Sequence, residues 1–348
     1  MERLVGVDVA RGLAVLGMVT AHVGPGTPHF WTATGWLQVA DGRSAATFAV
    51  LAGLSTALLS GGRRPPASLR GPRVRIAVRA ALLGVLGVAL QALGTPVAVI
   101  LPGYALMLLT LLPVLGLRAR ALLTLAGVAL LLGPPLVLSV SGPAPAGSPG
   151  LAPGLLVGPY YPAVVWIAYL LVGLAVGRLD LRSSGVRVRL ASLGALATAA
   201  GYGAGALALR VLPRDDTWWR SLLAGHPHAN TAPEVVGNLG VVLLVLVGSL
   251  VLADRFPRAV APLAATGQLA LTAYCAHIVV IAVLGPGVVY SPTALSWLTF
   301  LVVIVGGCTA WRARYGRGPL ERALHEASTR AAAAATRDTS ARVSPAAP

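Results

Sequence analysis

The chain has 348 residues, 56% of them hydrophobic and 11% charged, with a mean hydropathy of +0.78. Charged residues make up about a quarter of an ordinary soluble domain, so this composition excludes one and points to an integral membrane protein. The net charge of +16 comes from 27 bases against 11 acids. All the bases are Arg and they cluster in short loops between apolar runs, which is a topology signal and no nucleic-acid footprint.

The predicted fold is all-α, a polytopic bundle of about ten transmembrane helices. In chain order the spans are Val5–Val23, Ser44–Leu59, Ile76–Leu93, Val97–Leu117, Ala121–Leu138, Tyr161–Val176, Leu190–Leu212, Val235–Ala253, Ala261–Val283 and Ala294–Trp311. The fourth contains Pro102 and Gly103, which predicts a break or a re-entrant turn. Residues 1–325 form one domain, and 326–348 read as a low-complexity cytoplasmic tail. No internal repeat stands out. The N-terminal apolar run holds Asp8 and Arg11 and does not read as a cleavable signal.

Ten crossings put "GGRRPPASLRGPRVR", "LRAR", "RLDLRSSGVRVR", "DRFPR", "WRARYGRGPLER" and both termini on one side, cytoplasmic by the positive-inside rule. The opposite loops, 24–41, 139–160 and 213–234, are long and poor in Arg. Trp218 and Trp219 fit the interfacial aromatic belt.

The first span carries the sharpest signal. Asp8, Arg11, Val15, Met18 and His22 are spaced 3, 4, 3 and 4 residues apart, so they share one helical stripe. An acid, a base and an imidazole on one stripe cannot face lipid; they pair or line a wet cavity. A structural ion pair with His22 closing the helix end is the bland alternative. In "ATGQLALTAYCAHIVV", Tyr274 and His277 share another stripe, and His277 lies in the same half of the membrane as His22. His277 can equally well bond a neighbouring helix.

The outer loops add His29, then Asp41 and Arg43 ahead of the second span, and His226, His228 and Glu234 ahead of the eighth. Asp41, Arg43, His228 and Glu234 are candidate substrate-binding residues, although Asp41 can also serve as an N-cap. His226 and His228 form a His-x-His pair with no full metal ligand set around it. Cys275 and Cys308 lie inside apolar runs, where neither a disulfide nor a CxxC metal site is expected. Glycines in "GYGAGA" suit close helix packing better than phosphate binding.

"VGVDVARGLAVLGMVTAH" followed by "ADGRSAATFAVLAGLS" resembles the opening of the YeiB-type membrane proteins and of the lysosomal heparan-α-glucosaminide N-acetyltransferases. "PLAATGQLALTAYCAH" and "YGRGPLE" resemble the YeiB-type C-terminal half, and Arg11 with His22 matches the Arg-x10-His signature of acyltransferase-3 membrane proteins. The resemblance covers residues 1–325. It implies acyl transfer from a cytoplasmic acyl-CoA, acetyl-CoA in the lysosomal enzymes, to a saccharide or other envelope acceptor across a bacterial plasma membrane. Acyl-CoA would be a substrate, with no bound cofactor and no metal. A second copy of the chain is a further candidate partner. His22, His29, Arg11, Asp8, His277 and Tyr274 are then the candidate catalytic residues. The lysosomal enzymes have Asn at the position of His22, and their essential histidine lies in the following outer loop, where His29 is the nearest match. Imidazole suits the base or nucleophile role, and Tyr274 or an Arg can steady an oxyanion. The alternative is a transporter with an Asp8, Arg11, His22 and His277 relay.

Overall fold

The computed structural model describes residues 3–27, 29–140 and 151–343. Its helices are α1 (Val5–Val23), α2 (Arg43–Leu59), α3 (Arg70–Gln91), α4 (Leu101–Thr110), α5 (Ala119–Val140), α6 (Leu151–Val157), α7 (Ala163–Val176) and α8 (Ser184–Val211). The second half adds α9 (Thr217–Leu222), α10 (Ala232–Arg255), α11 (Ala261–Gln268), α12 (Ala270–Leu284), α13 (Gly287–Tyr290), α14 (Ala294–Tyr315) and α15 (Pro319–Val343). A 3-10 helix, Gly35–Ala40, leads into α2. Among the described residues there is no strand.

Seven segments are long and apolar enough to cross a membrane: α1, Gly35–Leu59, α3, α5, α8, α10 and α14. The pair α11 and α12, bent by 78°, supplies an eighth if it counts as one span. Each of the ten predicted spans therefore has a helix. The remaining two are the short ones, α4 with 10 residues and α7 with 14.

The fourth span is short and irregular, as expected, but the break does not fall at Pro102. Pro102 does not interrupt a helix; it sits in the first turn of α4, where its missing N–H costs nothing. Residues 92–100 before it are not regular helix, and irregular backbone at membrane depth is tolerated where it lines a cavity. The expected tail differs too. From 326 the chain continues α15 to Val343, and Ser328 is buried. The run of five alanines that reads as low complexity is also the best helix-forming sequence available. Residues 344–348 of that tail lie outside the described residues, as does the stretch 141–150 of the predicted 139–160 loop.

Helix α1 is the hub. It packs against α2, α10 and α11, and α2 packs in turn on α7. These contacts are backbone-close because glycines face each other. A side chain at Gly53 of α2 would run into the Leu170 carbonyl of α7, and one at Gly173 of α7 into the Val50 carbonyl of α2. Gly12 and Gly267 repeat the arrangement between α1 and α11, against the carbonyls of Leu263 and Asp8. In a bilayer, where lipid tails are as apolar as leucine, this close approach is what drives helices together. Helices α3, α8 and α14 bury few residues and form the lipid-facing side.

Replacing Gly173 with Leu should force α2 and α7 apart and cost about 3 kcal/mol. Thermal unfolding of the detergent-solubilised protein checks this; an unchanged midpoint would mean that the helices do not approach this closely.

Candidate functional site

Asp8 is 4% exposed on α1, and both of its carboxylate oxygens are paired. Arg3 reaches Oδ2 at 2.6 Å and Arg11 reaches Oδ1 at 2.8 Å. The second bond is the i, i+3 pair that the spacing predicts. Arg11 also donates to the Ser55 hydroxyl of α2 at 3.1 Å, so its charge is tied to two helices. Two internal spaces meet at this pair, and a third lies further along α1.

The largest, about 600 Å³, is bordered by Arg3, Asp8, Arg11, Arg63 and Asp180. A second, about 480 Å³, lies on the other side of Arg11 and is lined by Ser55, Arg79, Ile100, Tyr104, Tyr274 and Glu321. It runs along α1 as far as Met18. A third, about 320 Å³, begins at Met18 and continues past His22 to Asp41, Tyr160, Tyr161 and His228. Met18 thus lines both the Arg11 cavity and the His22 cavity. It belongs to the polar stripe of α1, one turn before His22.

His22 does not cap its helix. Its Nδ1 is 3.0 Å from His277 Nε2, and the two rings stack at 5.2 Å with 16° between planes. The hydrogen bond occupies Nδ1, so Nε2 is the nitrogen left for a substrate in the cavity. His277 is 2% exposed and borders an apolar groove of about 380 Å³ between α12 and α14. Tyr274, one turn earlier, packs edge-on to His277 at 5.3 Å and turns its ring toward the Arg11 cavity. Its hydroxyl accepts the Ile100 N–H at 3.4 Å.

Asp41 does not serve as the N-cap of α2. That position belongs to Gly42, which has a φ of +69° and no capping side chain, while Asp41 borders the His22 cavity. Arg43 and Glu234 stand behind the cavity wall and build it. Glu234 is buried and accepts two backbone bonds, from His228 N–H at 2.8 Å and Asn230 N–H at 2.7 Å. Both donors have left-handed backbone, with φ of 61° and 55°, a conformation that costs a residue other than glycine about 1 kcal/mol or more. The carboxylate holds them there. Glu234 also accepts from Asn238, whose Nδ2 reaches the Tyr169 hydroxyl at 3.0 Å and whose Oδ1 accepts from Tyr202 at 2.6 Å. Arg43 closes the chain, donating to the Tyr202 hydroxyl at 2.8 Å. Burial pushes the His228 imidazole below the usual histidine range, so it is neutral at pH 7.

Of the sequence candidates, then, His22, Asp41 and His228 share one cavity; Arg11 and Tyr274 share the next; and Asp8 and His277 each hold a member in place. His29 is exposed in the loop after α1 and borders none of these spaces. Its carbonyl accepts from Thr27 and Thr32. Sequence reasoning missed Arg79, Glu321, Asn238 and Tyr202. Arg79 was findable, since it stands inside a predicted span. Among the described residues no group of three or more His, Cys, Asp or Glu could hold a metal ion.

The family model described as "Heparan-alpha-glucosaminide N-acetyltransferase, catalytic" matches residues 3–209, more than half of the chain. The chain belongs to that family. A second model, "Protein of unknown function (DUF418)", matches residues 187–331 and overlaps the first within α8. The resemblance to the YeiB-type and N-acetyltransferase proteins therefore holds along the chain, which is that of an acetyltransferase-like membrane family. No curated protein gives a significant match.

The geometry makes an unequal prediction for the ion pair. Arg11→Leu leaves Asp8 with Arg3, whereas Asp8→Asn leaves Arg11 beside Arg3 with only Ser55. Asp8→Asn should be the worse single change, by about 3 kcal/mol, and the double variant should be milder than the sum. Folded yield and unfolding midpoint of the three variants measure it; strict additivity would show that the charges are not coupled.

Proposed function

We propose that the protein moves a short acyl group, such as acetyl, from a cytoplasmic acyl-CoA to a saccharide or other envelope acceptor on the outer side of a bacterial plasma membrane. The observation that carries this reading is that two cavities on the two halves of α1 are both lined by Met18. The Arg11 cavity, with Arg79 beside it, suits an anionic thioester donor. The His22 cavity, with Asp41, His228 and two tyrosines, suits a polyhydroxylated acceptor.

The reaction these residues can perform balances simply. His22 Nε2 takes the proton of an acceptor hydroxyl or amine, whose lone pair attacks the thioester carbonyl. The carbon–sulfur bond breaks, the new carbon–oxygen or carbon–nitrogen bond forms, and the thiolate leaves and is reprotonated. His277 fixes the ring plane of His22 and can share the positive charge it acquires. Tyr274, which lines the Arg11 cavity and packs against His277, is the group available to the oxyanion. A covalent route, with the acyl group resting on His22, uses the same placement. Transport is the second reading, favoured by one observation: the 78° break between α11 and α12 beside the histidines resembles the broken helices of transporters.

The decisive test incubates purified protein and envelope extract with radiolabelled acetyl-CoA. His22→Gln should lower transfer about 10²–10⁴-fold, with folding kept, because the amide can still bond His277. His29→Gln should leave the rate within about threefold, far short of the loss of a catalytic base. Wild-type transfer by His22→Gln, with loss in His29→Gln, would move the role to the loop. Absence of turnover in every preparation would favour transport.

Orientation is tested separately. In a background lacking Cys275 and Cys308, an impermeant thiol reagent applied outside should label Ser221→Cys and spare Ser68→Cys. Both positions are exposed. The reverse pattern would place the termini outside and the His22 cavity on the cytoplasmic side.

A further inference from the structure

Helix α12 carries Tyr274 and His277, and it starts directly after a 78° bend. A helix that starts at a bend has N–H groups without partners in its own first turn. Here a carboxylate from some fifty residues later in the chain takes them up. Glu321 Oε1 accepts the N–H of Leu271 at 2.8 Å and that of Thr272 at 3.0 Å, and Glu321 also accepts the Thr272 hydroxyl at 2.6 Å. A negative charge at this end also matches the helix dipole.

Glu321 is the last residue of "YGRGPLE", and the rest of that segment holds it in place. Gly316 turns the chain with a φ of +78°. The Trp311 indole donates to the Arg317 carbonyl at 3.1 Å, and Arg322 donates to the Tyr315 carbonyl at 2.9 Å. A side chain at Gly318 would collide with the Glu321 carboxylate and the Thr272 hydroxyl. On the other side of the bend, Arg312 bonds Gln268, the last residue of α11. The C-terminal segment thus grips both sides of the break. Glu321 lines the Arg11 cavity together with Tyr274, so the grip is made at the site's own wall.

We propose that Glu321 is the positioning residue of the site: its carboxylate closes the start of α12 and so sets the direction in which that helix presents Tyr274 and His277 to His22. Its effect on rate rests on the acyl-transfer reading; its effect on α12 does not. The chemistry stays with His22 and the substrates. The carboxylate supplies only a fixed acceptor for three donors, and for that reason an amide oxygen should largely replace it.

The test pairs hydrogen exchange with kinetics on Glu321→Ala, Glu321→Gln and, as a control on the same helix, Glu326→Gln. In Glu321→Ala, exchange in the peptide covering residues 269–276 should rise about tenfold or more, the factor expected for losing a bond to a charged group, with α10 unchanged. Acetyl transfer should lose about 10² in kcat, the cost of a misplaced reacting group, with KM for acetyl-CoA held within about twofold. Glu321→Gln should recover most of both, and Glu326→Gln should match the wild type. Gly318→Ala, which crowds the carboxylate without removing it, should raise exchange at the same amides and covers the case in which Glu321→Ala does not fold. Unchanged exchange in the variants that fold would overturn the proposal. So would a raised KM with kcat kept, because Glu321 would then be a contact to the donor. If the wild type transfers no acyl group, the exchange result still decides what Glu321 does, and the failure belongs to the proposed reaction.

Discussion

A membrane-spanning helix that carries Asp8, Arg11 and His22 on one stripe must have protein around that stripe. Exposing an ion to lipid costs several kcal/mol even by lenient scales. Most of the architecture follows from meeting this requirement. Arg3 and Ser55 complete the bonding of the ion pair, α10 and α11 approach α1 to backbone distance at its glycines, and α12 brings a second imidazole against the first. Packing of α2 on α7 then extends the shell outward, while α8 and α14 bury few of their residues and lie at the periphery of the bundle.

Much of this was legible in the sequence because the signals were periodic and local. The stripe of α1, the Asp8–Arg11 pair and the helical character of all ten predicted segments depend on spacing within one helix. The limits lay where distant segments decide the outcome. Whether Asp41 caps α2 or borders a cavity depends on the turn at Gly42 and on the loop that brings His228 over it. Glu234 reads from sequence as a ligand-binding acid near a helix start. Its two oxygens instead hold two left-handed residues in its own loop, which only the folded loop reveals. The alanine run of α15 reads as low complexity because it lacks apolar periodicity, yet it forms a helix that packs on α3.

The two ends of the site are held by the same device. At the His228 loop and at the start of α12, a carboxylate, local in the first case and distant in the second, accepts a pair of backbone N–H groups. Charge-assisted bonds of this kind are stronger than neutral ones and fix direction as well as distance. Both carboxylates come from the second half of the chain, whereas Arg11 and His22 come from the first. The polar stripe and its supports are therefore contributed by different parts of the sequence, and the candidate site is complete only when the halves are folded together.

Met18 borders both the Arg11 cavity and the His22 cavity, so at this side chain the two spaces come within one residue of each other. A bilayer core of about 30 Å normally keeps protons and ions apart, and a side chain shared by two cavities is a place where such a barrier is thinned. Methionine is suited to such a place, being apolar, unbranched and able to change shape without leaving a void. Exchanging Met18 for a smaller side chain would join the cavities into a continuous water-filled path, and its first consequence would be a leak of protons that could be seen before any change in chemistry.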